Sequence, residues 1–190
     1  PENSESMEPD PTTINLTVKK ASQAPLTING INSPYTYGDD PFEVYIEGGN
    51  GDGKVTFTSS DDSVADITGS TVKIFKKGTF TITATKSADE NYNETTAQSD
   101  LITVNPKPVT LENIEIKDKI YDGNNEAEIS KEPVLVGGVV GDDLSFVVGK
   151  AFFDSKDAGQ DKTVTFTGFS LDGAKCENYV LAEQPNPVKA

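Results

Sequence analysis

Short segments that alternate apolar and polar residues, separated by turn-forming residues, constrain the fold of this chain most. "PFEVYIE" places Phe42, Val44 and Ile46 on one face and their neighbours on the other. Such alternation with β-branched and aromatic residues is typical of half-buried antiparallel strands. It recurs in "KVTFTSS", "STVKIF", "TFTITAT", "VTLENIEIK", "LSFVVGKAFF" and "KTVTFTGFSL", with turn clusters such as "GGNGDGK", "SSDDS" and "KKG" nearby. Because no amphipathic helix is evident, we predict an all-β protein of sandwich or barrel type.

An internal repeat divides the chain into two units. "NLTVKKASQAPLTI" and "LITVNPKPVTLENI" match, and their equivalent residues Val18 and Val104 lie 86 positions apart (104 minus 18). Each unit has an early Tyr-Gly/Asp element and a late Asn-Tyr element: Tyr37, Gly38, Asp39 with Asn91, Tyr92, and Tyr121, Asp122, Gly123 with Asn178, Tyr179. We therefore predict a disordered tether over residues 1–11 and two small β-sandwich modules, 12–105 and 106–190. Proline in "NPKPV" predicts a short, stiff connection between them.

Composition excludes several function classes. The chain has 31 acidic residues against 16 basic ones, all of them lysine, for a net charge of -15. That balance lacks the basic footprint of a nucleic-acid binder and is repelled by anionic membranes. Without histidine, and with Cys176 as the one cysteine, histidine-based triads, imidazole metal sites and disulfides are ruled out. We expect no enzyme activity and no cofactor. Because neither a starting methionine nor a signal peptide is present, we expect a piece of a longer protein.

The two units resemble known bacterial surface modules. In the first, Tyr37 to Asp39, Pro41-Phe42, Val64-Ala65, Gly78 to Ala84 and Asn91-Tyr92 follow in order the pattern of bacterial Ig-like repeats. The second resembles the YDG domain through Tyr121 to Gly123, "LVGGVVGDDLSF", "AFFDSKDAGQDKTVTFTG" and Asn178-Tyr179. The resemblance implies secreted or wall-displayed β modules without catalytic residues. Related modules in mucin-binding proteins adopt a β-grasp fold, so for the second unit a β-grasp-like topology stays open beside the Ig-like one.

The Tyr-Gly/Asp loops are expected to be structural. Asp and Asn side chains bind the backbone two residues further on, and glycine provides positive φ, so "YGDD" and "YDGNN" are predicted turns. We expect the neighbouring tyrosines to lie across the sandwich end and the late Asn-Tyr to do the same from the other side. Replacing Tyr37 or Tyr121 by alanine is therefore predicted to lower stability by roughly 2–4 kcal/mol.

Two alternatives remain open at this point. Tyr35 and Tyr45 lie close in sequence, and an exposed tyrosine beside acidic and amide groups is able to stack on a sugar ring. Carboxylates in "GGNGDGK" and "SSDDS" are possible ligands of a structural calcium ion, although neither segment has a regular calcium-loop spacing. The acidic pairs, such as Asp142-Asp143, are expected in turns, since neighbours on a strand point to opposite faces and suit acid/base catalysis poorly.

Taken together, these observations predict a monomeric, non-catalytic, extracellular segment of a bacterial surface protein. Its tandem modules would act as a stalk or spacer and take part in adhesion, with neighbouring modules of the same protein as partners. The alternative is a binding module for host glycan, mucin or a matrix protein that uses the exposed tyrosines.

Overall fold

A computed structural model describes residues 16–190. The predicted tether, residues 1–11, and the first four residues of the first predicted module lie outside this range. The first module contains eleven strands: β1 Leu26–Asn29, β2 Tyr35–Thr36, β3 Phe42–Glu43, β4 Tyr45–Gly48, β5 Val55–Ser59, β6 Ala65–Thr68, β7 Thr71–Ile74, β8 Gly78–Phe80, β9 Ile82–Lys86, β10 Thr95–Gln98 and β11 Ile102–Asn105.

These strands form four small sheets, ordered β1-β4, β10-β9-β5, β2-β11-β8 and β3-β7-β6. All pairings are antiparallel except that of β11 with β2, where Val104 pairs with Tyr35 in parallel. The predicted alternation places the core: in β9, Ile82 and Ala84 are buried between less buried threonines. The inward side chains of several sheets meet in one cluster that includes Val44, Phe80 and Ile82.

The second module contains eleven further strands and one 3-10 helix, Cys176–Asn178. Its strands are β12 Lys107–Glu112, β13 Glu115–Ile116, β14 Glu126–Ala127, β15 Ile129–Lys131, β16 Val134–Val136, β17 Ser145–Val147, β18 Lys150–Phe153, β19 Thr163–Thr167, β20 Ser170–Asp172, β21 Tyr179–Leu181 and β22 Val188–Lys189.

The sheets of the second module are ordered β16-β12-β21, β13-β15, β14-β18-β19-β22 and β17-β20. Its own core includes Leu111, Phe153, Val164 and Phe166. Both modules are therefore all-β, as the sequence predicts. Over residues 106–190 the structure contains no α-helix to lie across a sheet, which favours a sandwich over the β-grasp-like alternative.

The connection between the modules is very short. β11 ends at Asn105 and β12 begins at Lys107, so Pro106 alone separates the last strand of one module from the first strand of the next. Proline fixes its own φ and restricts the residue before it. The chain therefore crosses the boundary with little conformational freedom, and the two modules meet directly.

Candidate functional site

The motif pairs lie at opposite ends of each module, here named the upstream end, where the chain enters, and the downstream end, where it leaves. At the upstream ends, Tyr92 forms a parallel bridge with Ala21, and Tyr179 pairs in parallel with Lys107. Ala21 and Lys107 are 86 positions apart (107 minus 21), which is the spacing of the sequence repeat. The late Asn-Tyr element is thus the place where each module holds its own incoming chain.

The Tyr-Gly-Asp loop of the first module lies at its downstream end. Tyr37 donates its backbone N–H to the carbonyl oxygen of Asn105, the last residue of β11, over 2.9 Å. Gly38 has φ +85°, and the Asp39 carboxylate accepts the Thr36 backbone N–H at 2.8 Å. The predicted turn chemistry is therefore present, and it holds Tyr37 where the second module begins.

The upstream end of the second module covers Tyr37. The rings of Tyr37 and Tyr179 meet edge to face with centroids 5.4 Å apart, and both side chains are buried. The Tyr37 hydroxyl donates a hydrogen bond of 2.8 Å to Asp142 Oδ2. The Tyr179 hydroxyl donates to the same carboxylate oxygen and accepts the backbone N–H of Val139 at 3.0 Å. One carboxylate therefore binds a tyrosine from each module.

Two further contacts fix the junction. The Asn178 side chain is almost fully buried, and its Oδ1 accepts the backbone N–H of Lys77 at 3.0 Å. A Cβ atom added at Gly38 would lie 2.7 Å from Cγ2 of Val139, so the backbone there approaches the second module as closely as glycine allows. These contacts are between residues more than a hundred positions apart, and they leave little room for one module to turn against the other.

The electrostatics of the junction keep both phenols protonated. Burial, reinforced by the Asp142 carboxylate, raises the pKa of Tyr179 to about 12. The same two causes raise the pKa of Tyr37 well above its usual range. A neutral hydroxyl is the donor that the carboxylate needs, since ionised phenols would repel it. The cluster is therefore a hydrogen-bonded clamp between the two modules.

Apolar packing also crosses the boundary. The buried cluster of the first module includes Val109 and Tyr179 of the second, and Leu135, Val139 and Leu144 pack against it. The second module has a core of its own, but the core of the first module continues across the junction. A shared core couples the stability of its two sides.

The Tyr-Asp-Gly loop of the second module differs from its counterpart. Asp122 and Asn124 accept backbone N–H groups two residues further on, as expected for such turns, and Gly123 has φ +85°. The Tyr121 ring, however, is 61% exposed. The prediction that this ring is buried across the sandwich end is wrong, because no part of the described chain covers it as the second module covers Tyr37. The loss of roughly 2–4 kcal/mol predicted for Tyr121→Ala rested on a buried ring and is replaced by a smaller one.

The two tyrosines considered for sugar stacking differ in how far their side chains are exposed. Tyr35 stacks on Phe42 with centroids 4.2 Å apart, its hydroxyl accepts the Asn32 backbone N–H, and its ring is buried. It is a core residue and presents no face to a ligand, which corrects the prediction for Tyr35. Tyr45 is 55% exposed on β4 and keeps an accessible ring.

The other candidates for chemistry are not assembled. Within residues 16–190 no group of three or more histidine, cysteine or acidic side chains is placed to hold a metal ion. The Asp61 carboxylate accepts the Ser63 hydroxyl and backbone N–H, and Asp89 accepts the backbone N–H groups of Asn91 and Tyr92. These acids act as turn and loop residues. In the described part of the chain no helix is long and apolar enough to cross a membrane.

Asp142 is the junction residue that the sequence did not single out. It lies in "VVGDDL", where it was assigned with Asp143 to a turn. Its turn bonds are present: its backbone N–H contacts the Val139 carbonyl, and its own carbonyl accepts from Leu144. The sequence shows only an aspartate pair beside an apolar loop, and this pattern does not identify a hydrogen-bond partner in the other module.

Comparison with known proteins supports the assignment of the second module. No curated protein matches the chain, and no solved structure matches it. The family model of the YDG domain matches residues 105–186. That range begins at the end of β11 and includes both the exposed Tyr121 loop and the Asp142–Tyr179 side of the junction. The second module is therefore similar to the YDG domain, and its upstream end contacts an all-β neighbour.

Proposed function

We propose that this chain is a non-catalytic spacer segment of a bacterial cell-surface protein, formed by an Ig-like module and a YDG domain. The observation that carries the proposal is the clamp of Tyr37, Asp142 and Tyr179 at the junction. A hydrogen-bonded, apolar and nearly linkerless junction holds two modules at one angle. That property serves a stalk, which keeps an adhesive element at a distance from the cell envelope.

Further features support this proposal. The YDG match covers the second module, and the net charge of -15 favours a solvated surface that repels its copies. The Ig-like identity of the first module rests on its sequence pattern together with its all-β structure. An extracellular location follows from that resemblance, and antibodies against the chain that fail to bind intact cells of the organism carrying it would contradict it.

The test of the spacer is a distance measurement across the junction. Spin labels at Thr58→Cys and Thr165→Cys, on the exposed faces of β5 and β19, are placed in a Cys176→Ser background that melts like the parent chain. We expect a single narrow distance distribution that broadens in Asp142→Ala. A distribution as broad in the parent as in the variant would refute a fixed junction, and with it the spacer role proposed here.

A second candidate function rests on Tyr45. Its exposed ring, on the β1-β4 edge of the first module and close to Glu43 and Glu47, is a possible platform for a glycan, including those of mucin. Saturable binding of the chain to a glycan, mucin or matrix array, abolished by Tyr45→Ala and retained by Tyr121→Ala, would establish this function. Equal binding by both variants would exclude Tyr45 as the platform.

A further inference from the structure

The two modules present the same motifs at the same ends, but their downstream ends differ in what covers them. In the first module the loop at Tyr37 lies beside the last residue of the last strand and is covered by the next module. In the second module Tyr121 and Ala190, the residue after the last strand, line one cavity of about 240 Å³. The repeat therefore puts an equivalent tyrosine loop beside the outgoing chain in both modules, covered in one and open in the other.

The open loop has the composition of a contact surface. Tyr121 is 61% exposed, and its neighbour Ile120 is 91% exposed. Phe153 also lines the cavity, and the loop is tied to it by the Phe153 backbone N–H, which binds the Asn125 carbonyl at 2.8 Å. Two adjacent large apolar side chains in solvent, on a loop held by its own Asx turns, form a prearranged surface.

The charged groups of this surface are paired among themselves, and the upstream end of the second module offers acceptors for a tyrosine hydroxyl. The cavity lining contains three lysines and two aspartates: Lys119, Lys156, Lys162, Asp118 and Asp157. Each of these lysines is paired with an aspartate nearby, Lys119 with Asp122, Lys156 with Asp157 and Lys162 with Asp154, so the surface carries no positive excess. The upstream end of the second module, by contrast, presents the carboxylates of Asp142 and Asp143 together with the hydroxyl of Tyr179. An end with these groups accepts a tyrosine hydroxyl, as Asp142 accepts that of Tyr37.

We propose that the surface formed by Ile120, Tyr121, Lys119 and the Ala190 end of β22 is a docking site for the upstream end of a further YDG-type module joined after Ala190. The inference rests on the spacer function proposed above. In the docked state the Tyr121 hydroxyl donates to the carboxylate that corresponds to Asp142, and the Tyr121 ring meets the tyrosine that corresponds to Tyr179. In each contact between modules, the loop at Tyr37 or Tyr121 of one module would thus pair with the Asn-Tyr element of the next.

The experiment extends the full chain by a second copy of residues 106–190, placed directly after Ala190. Two variants of the extended chain each carry one pair of spin labels. Thr58→Cys with Thr165→Cys reports the existing junction, and Thr165→Cys with the same substitution in the added copy reports the new one. Cys176→Ser is present in both copies. We expect the new joint to give a distribution as narrow as the existing junction, and Tyr121→Ala to broaden the new joint alone.

A matched control and the contrary outcomes make the test decisive. Tyr45→Ala removes a similarly exposed tyrosine from a strand of the first module and is expected to broaden neither distribution. A broad new joint beside a narrow existing one would overturn the docking site and leave the spacer function standing. Broad distributions at both joints would overturn the spacer function itself. An added copy that stays unfolded, while residues 106–190 fold in their original place, would also overturn the docking site.

Discussion

The hydroxyl of Tyr37 offers the sharpest test of the junction, because Tyr37→Phe removes one hydrogen bond and leaves the ring in place. The hydroxyl lies 2.8 Å from Asp142 Oδ2 in a site where Tyr37 is 6% exposed. A hydrogen bond to a charged group contributes about 1.5–3 kcal/mol. Asp142 keeps the Tyr179 hydroxyl and is itself half-buried, so we expect a loss near the lower limit, about 1.5 kcal/mol.

The assay is thermal and urea unfolding followed by circular dichroism. For a cooperative unit of this size, each 1 kcal/mol corresponds to about 2–4 °C, so Tyr37→Phe is expected to lower Tm by about 3–6 °C. Tyr37→Ala also removes a buried ring, and a total loss of at least about 3 kcal/mol is expected. With the shared core opened at the junction, that variant is expected to unfold in two transitions where the parent shows one.

Tyr45→Phe is the matched control, since it removes the hydroxyl of a tyrosine that is 55% exposed. Changes at exposed positions without special contacts stay within about 0.5 kcal/mol. If Tyr37→Phe and Tyr45→Phe melt at the same temperature, the bond between the phenol and the carboxylate contributes nothing, and the account of the junction as a clamp is refuted.

Three further results are expected. Folding raises the pKa of Tyr179 to about 12, so the stabilisation that this hydroxyl provides is complete below pH 10 and falls by about 2 kcal/mol by pH 12. A Tyr179→Phe variant whose stability falls with alkaline pH as steeply as that of the parent would contradict this. Gly38→Ala and Gly69→Ala both place alanine at positive φ, but the new Cβ lies 2.7 Å from Val139 at Gly38, whereas nothing lies within 4 Å of it at Gly69. In urea unfolding, Gly38→Ala is therefore expected to lose about 1 kcal/mol more stability than Gly69→Ala, and equal losses would argue against close contact at the junction. Tyr121→Ala is expected to change the melting temperature of this two-module chain by less than about 2 °C, since its ring is largely in solvent, and a loss as large as that of Tyr37→Ala would show that the ring is covered.

Much of the fold follows from local pattern. Alternation at Ile82 and Ala84 in β9, or at Val164 and Phe166 in β19, predicts both the strand and its inward face, because one side of each strand must leave water. The turns at Asp39 and Asp122 follow in the same way from Asx chemistry. In each of these cases the information lies within a few residues of the position concerned.

The site follows from pattern only in part. Tyr37 and Tyr121 belong to equivalent loops, yet one ring is buried and the other exposed, because burial depends on whether a neighbouring module is present. Tyr35 looks as polar in sequence as Tyr45, but stacking on Phe42 places it in the core. Asp142 acquires its role from a residue 105 positions away. Such contacts are set by the relative placement of modules, which no local period encodes.

The pairing of β12 with β21 has a mechanical consequence. The two strands run parallel, with Lys107 beside Tyr179 and Val109 beside Leu181. β12 leads in from the N-terminal side of the module, and β21 lies close to its C-terminal side. Once β22 has separated from β19, tension on the two termini pulls β12 and β21 in opposite directions along their length. The backbone hydrogen bonds between the two strands are then loaded in shear at the same time, and do not break one after another. A module with this strand arrangement is expected to unfold only at a high pulling force, even though its core is small.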